Sequence, residues 1–172
     1  MSGACLPEAF VEARLAGAID AELRWQAADM QCDGMRRPDG KGLRVTFSGS
    51  VGAERLTLVF GAPRLAEGAS GRAIPVNVTL IREGGALYGT RGEDKCLLDE
   101  VRQEPLPPPA GDHGFRHWRI EAHGFCLEPA RAVAGGRDAI LIARFDFRGQ
   151  LAWELDPPSP VAPPAASATA TR

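Results

Sequence analysis

Four cysteines, three histidines and several runs of acidic residues hold whatever reactivity this chain has. The cysteines are Cys5, Cys32, Cys96 and Cys126. They form no CxxC pair, and only Cys126 has a histidine at metal-ligand spacing, His123 three residues before it. That is too little for a structural zinc site, which needs four such ligands at close, regular spacing. The remaining choice is between disulfides and buried thiols. "CLLDEVRQ" and "RHWRIEAHG" read as consecutive strands on either side of a proline-rich loop, "EPLPPPAGDHG", at 104–114. Folding them about that loop sets position 96 opposite roughly 123, and a bulge or small register shift brings Cys126 within bridging distance. A Cys96–Cys126 disulfide is therefore expected, with Cys32 as the alternative partner for either. Closing a loop of about 30 residues would stabilise the fold by roughly 3 kcal/mol in the chain-entropy account. Such a bond belongs outside the reducing cytosol. The plainer reading keeps the cysteines as small buried hydrophobes.

The histidines do not assemble a metal site. In a strand, His117 and His123 share a face with Arg119 and Glu121, but six residues of extended chain separate them by about 20 Å. A solvated polar face is the simpler account. Glu93, Asp94, Asp99 and Glu100 in "RGEDKCLLDE" supply the oxygen ligands that calcium prefers, yet their spacing is not that of an EF-hand loop, and Arg91 and Lys95 stand among them. No metal or cofactor is expected. "FSGSVG" lacks the first glycine of a nucleophile elbow and sits in a hairpin link rather than between strand and helix. A Cys126/His123 dyad would place its members on opposite faces of a strand. With no HExxH, P-loop or strand-to-helix GxGxxG in the chain, nothing marks it as an enzyme. The best candidates for a recognition surface are the single tyrosine, Tyr88, on the glycine-flanked segment "GGALYGTRG", together with Arg102, Arg119 and Glu121.

The elements that position these residues are strands. Across the 172 residues, 44% are hydrophobic, as in a globular domain, and the net charge of −2 gives no basic footprint for nucleic acid. The longest apolar run, "AILIA" at 139–143, is strand-sized, so no transmembrane segment is expected. Near the start, Val11, Leu15 and Ile19 lie four apart behind Pro7, which predicts a short amphipathic helix within residues 1–20. From Ala21 the period is two: "LRVTFS", "RLTLVFG", "IPVNVTLI" and "RHWRIEA" each alternate apolar with polar residues. "RPDGKG", "SGSVGAE", "REGG" and "FRGQ" read as short links between them, the last joining "AILIARFDF" to "LAWEL".

Short links between strands imply antiparallel neighbours. The expected fold is an all-β sandwich or barrel-like meander of about 8–10 strands at 21–156. The proline- and alanine-rich stretch 157–172 lacks the bulk to bury a core, so a disordered tail is expected there.

These readings converge on a non-enzymatic, extracytoplasmic binding or accessory protein, periplasmic, secreted or lipoprotein-like, stabilised by a disulfide. "MSGAC" offers a weak membrane tether at Cys5, because small residues precede it but Ser2 stands where a lipobox has an apolar residue. Residues 1–20 show no secretory signal pattern, which points instead to the cytoplasm. The alternatives are accordingly a cytoplasmic partner-binding module with reduced cysteines, and a small-ligand carrier or enzyme with a pocket inside the β-structure. The partner, protein or small molecule, is not specified by any motif.

Overall fold

A computed structural model describes residues 3–155 and Ala165. The sequence-predicted tail at 157–172 lies, but for Ala165, outside the described residues. Among the described residues there are twelve strands: β1 Phe10–Gly17, β2 Ala21–Gln26, β3 Met30–Arg36, β4 Leu43–Val51, β5 Glu54–Ala62, β6 Gly71–Pro75, β7 Asn77–Arg82, β8 Leu87–Gly89, β9 Cys96–Leu106, β10 Phe115–Cys126, β11 Ala130–Ala132 and β12 Ala139–Glu154. One 3-10 turn, Ala27–Asp29, interrupts them.

All twelve strands belong to one hydrogen-bonded sheet folded over on itself. One layer runs β2-β1-β12-β10-β9-β6 and the other β3-β4-β5-β7-β8-β11. The 16-residue β12 joins them at both ends. Ala139 and Ile140 pair with β11, and Ala152 pairs with Met35 of β3 in the only parallel contact among the described strand pairings.

Between the layers, Phe47 and Phe60 of the second meet Phe145 and Phe147 of β12, with ring centroids 4.7–5.3 Å apart in the closest three pairs. Aromatic pairs at these separations add to the area that each ring buries. Trp25 of β2 lies over Gly49 of β4, where a Cβ would come within 2.6 Å of the indole. Two layers whose inner faces interdigitate, each strand alternating inward and outward, are what a period of two produces.

Three sequence expectations change. The N-terminal helix is a strand, β1. Val11, Leu15 and Ile19 fit a helical spacing of four, but four is also a multiple of two, and Ala13 decides between them. Val11, Ala13 and Leu15 are all fully buried, while Glu12 faces out. "IPVNVTLI" is two strands in different layers, since β6 pairs with β9 and β7 with β5 and β8. The chain crosses at Val76, after the left-handed Ala73 (φ 53°) and after Pro75, which has no N–H to give a ladder. "FRGQ", finally, is no turn but the middle of β12.

Gly149 explains that last misreading. Its missing side chain makes room for the Phe47 ring, which a Cβ would approach to 2.8 Å while lying 3.4 Å from Val45. Phe47 is fully buried and cannot withdraw. Gly149→Ala should therefore destabilise the fold by about 1–3 kcal/mol through overpacking, measured by urea denaturation. An unchanged midpoint would show that the layers can part at this point.

Two disulfides tie the fold. Cys96 and Cys126 face each other directly on β9 and β10, with Cα atoms 4.0 Å apart, and Cys5 is bonded to Cys32 of β3. The β9–β10 register slips by one between His123 and Gly124, which places 126 rather than 127 opposite 96. Because Cys32 is bonded to Cys5, it is not the partner of Cys96 or Cys126. The sulfur of Cys5 is equally unavailable for a lipid thioether, which removes the chemical basis for a tether there. Among the described residues, no helix is long and apolar enough to cross a membrane.

Candidate functional site

The outer face of β1, β12, β10 and β9 carries cross-strand rows of charge. Register alone sets Glu12, Asp146, His123 and Glu100 in one row. The next row holds Phe10, Arg148, Glu121 and Arg102, and a third Gln150, Arg119 and Glu104. Each strand presents these residues outward because their neighbours (Val11, Phe147, Ile120, Ala122 and Val101) are drawn into the core.

Opposite charges meet along and between the rows. Glu121 binds Arg148 at 2.8 Å and lies 3.7 Å from Arg119, which also pairs with Glu104 and Glu8. Arg102 pairs with Glu100 at 3.0 Å, and His123 lies 3.8 Å from Asp99. The Arg148 guanidinium sits over the Phe10 ring, 5.6 Å from its centroid. Such exposed pairs add little to stability, because water and salt screen them. They order the side chains into a fixed pattern more than they stabilise the fold.

A shallow depression of about 280 Å³ opens in this face, lined by Glu100, Arg102, Glu121, Ala122, His123 and Asp146. Of the sequence-predicted residues, Arg102 and Glu121 line it and Arg119 lies one pair further along β10. Tyr88 does not join them: it is on β8 in the other layer, 1% exposed, with its ring in the core. Of the glycines flanking Tyr88, Gly84 serves the hairpin, adopting φ +70° in the β7–β8 turn, while Gly89 lies within β8 itself. His123 and Asp146 were missed as site residues. Outward alternation gives His123 a place on the face, but only the pairing of β10 with β12 puts Asp146 beside it.

Desolvation pushes the Asp146 carboxyl above the ordinary aspartate range, and Glu12 and Glu121 add to this, while His123 and Arg148 oppose it. A raised pKa in the folded state means that this state holds its proton more tightly than the unfolded chain. Stability linked to Asp146 is then present below its ordinary pKa and is lost as pH rises through the raised one. Asp146→Asn should raise the melting temperature at pH 7 and leave it unchanged near pH 3, where both forms are neutral. The change is small because the side chain is partly exposed. A lower melting temperature at pH 7 would mean that His123 and Arg148 more than offset the desolvation.

The acids of "RGEDKCLLDE" are dispersed rather than convergent. Glu93 pairs with Arg64, Asp94 with Lys95, Asp99 with His123 and Glu100 with Arg102. Among the described residues, no three His, Cys, Asp or Glu side chains are arranged to hold a metal ion.

On β9, Gln103 holds the loop after β5. Its Nε2 donates to the carbonyls of Ala66 and Ala69 at 2.9 and 2.8 Å, and its Oε1 accepts from the Gly68 N–H at 3.1 Å. Glu67, in the same loop, accepts from Arg116 and from the Trp118 indole, which hold its carboxyl below the usual range. These bonds fix a loop and present no reactive group.

No family model, curated protein or solved structure matches this chain.

Proposed function

We propose that the protein is a non-enzymatic binding or accessory domain that works outside the cytosol, using the charged outer face of β12, β10 and β9 for recognition. The observation that carries this reading is the pair of disulfides, Cys5–Cys32 and Cys96–Cys126, which together use every cysteine of the chain. Reducing compartments keep thiols free, and a β-domain stapled twice fits secretion or the periplasm.

The face supports a binding role through its ordered rows of alternating charge around Arg102, Glu121 and His123. Such surfaces act through electrostatic complementarity, which sets register and association rate. Against the carrier alternative stands the filling of the interior by Phe47, Phe60, Phe145 and Phe147. Against the cytoplasmic alternative stand the disulfides themselves.

Fractionation of the cells that make the protein tests the reading. It should be recovered in the periplasmic or secreted fraction. Recovery in the cytosol would overturn it.

A further inference from the structure

The outer face of the second layer differs in kind from the charged face. Where β12, β10 and β9 present Arg, Glu and His, this face presents Thr46, Val59, Thr79 and Ile81. Three of its apolar side chains form an exposed strip across β7, β8 and the end of β11. Ile81 pairs with Leu87, and the Val133 N–H donates to the Leu87 carbonyl at 2.9 Å. These residues are 36%, 38% and 50% exposed.

One pleat along lies the row Thr79–Gly89–Arg131. There a groove of about 310 Å³ is lined by Gly89, Arg91, Lys95, Pro129, Arg131, Ala132 and Val133. Three of its residues are cationic and none is acidic. Lys95 is shared between Asp94 and Glu128, at 3.7 and 3.6 Å. No ion pair among the described residues engages Arg91 or Arg131. In a protein of net charge −2, whose other surface arginines mostly sit against carboxylates, two uncommitted guanidiniums beside an apolar strip form a distinct arrangement.

We propose that this groove binds a single-chain anionic amphiphile, an alkyl phosphate or alkyl carboxylate, as a free monomer. The headgroup lies over Gly89 between Arg91 and Arg131, whose planar forks match a phosphate or carboxylate in a two-pronged contact. The absence of a side chain at Gly89 lets the headgroup approach the strand. The alkyl chain runs from Val133 over Leu87 to Ile81 and removes their exposed surface from water, the main source of its binding energy. A bilayer is the poorer occupant, because a broad anionic surface would also meet Asp94 and Glu128, the carboxylates paired with Lys95, whereas one headgroup touches only its lining. The site is on the opposite layer from the charged face and does not depend on that face or on the compartment proposed for the protein.

Isothermal titration of the intact, oxidised protein with dodecyl phosphate below its critical micelle concentration tests this. Binding should saturate at one equivalent and weaken at least tenfold in Arg91→Gln/Arg131→Gln, and likewise in Leu87→Ser/Val133→Ser. All four side chains are on the surface, and matching melting curves establish that the variants fold. Chemical-shift changes centred on Gly89 and Ala132 should accompany binding. Affinity unchanged in either double variant, inorganic phosphate binding as tightly as dodecyl phosphate, or binding confined to phosphatidylglycerol vesicles would each overturn the proposal.

Discussion

Replacing Cys96 and Cys126 together by alanine should lower stability by about 3.5 kcal/mol, since the bond closes a sequence separation of 30 residues and loop-closure entropy grows slowly with that length. For a domain of this size, each kcal/mol moves the melting temperature by about 2–4 °C, so the variant should melt about 10 °C lower. The folded state loses little, because β9 and β10 are already paired along ten residue positions and Cys96 is fully buried. The effect acts chiefly on the unfolded chain, which gains freedom. The separate Cys5–Cys32 bond, at a separation of 27, should give a change of the same order when removed. A shift below about 2 °C in either variant would show that the bond is not closed in solution.

Phe147→Ala should cost about 3–5 kcal/mol, the range for emptying an aromatic site in a packed core. Phe147 is 1% exposed, and its ring meets Phe60 at 4.7 Å, Phe47 at 5.3 Å and Phe145 at 6.3 Å. It therefore touches both layers from β12, the strand that joins them. Leaving that space empty forfeits contacts on every side, and none of the three rings can fill it without opening a gap at its own position. Phe115, 42% exposed, is the control, and its replacement by alanine should change stability by less than about 0.5 kcal/mol. Equal losses for the two would mean that the interface between the layers is loose.

Much of this architecture was legible where one residue type could satisfy only one period. "LRVTFS" alternates throughout and "RLTLVFG" does so but for the outward Val59, and they became β4 and β5, paired from Leu43–Ala62 to Val51–Glu54. The errors arose where local sequence admits two readings. The spacing of Val11, Leu15 and Ile19 suits helix and strand alike, and what selects the strand is β12 on one side and β2 on the other. Gly149 carries the same composition signal as a turn glycine, although its reason for being glycine lies with Phe47, about a hundred residues earlier in the chain. Val76 continues an alternating pattern through a change of layer, which local periodicity cannot register.

The candidate surface was legible in part for the same reason. Arg102, Arg119 and Glu121 follow from outward alternation on β9 and β10. Asp146 belongs to the depression through strand order alone, and Tyr88, though flanked by glycines, points inward with Leu80 and Val78 of the neighbouring strand. The alternative pairing of Cys32 with Cys96 or Cys126 was open in the sequence because nothing there said that residues 3–5 lie along β3. The bridge between Gly3 and Cys32, with a 3.1 Å hydrogen bond, is what brings Cys5 to its partner.

All four cysteines are paired in the native protein, and mass spectrometry of protein alkylated at the moment of cell lysis can check this in one measurement. Without reductant no cysteine should be modified, after reduction all four should be, and peptide mapping should return Cys5–Cys32 and Cys96–Cys126. Alkylation of any cysteine before reduction, or a peptide joining Cys32 to Cys96 or Cys126, would contradict it.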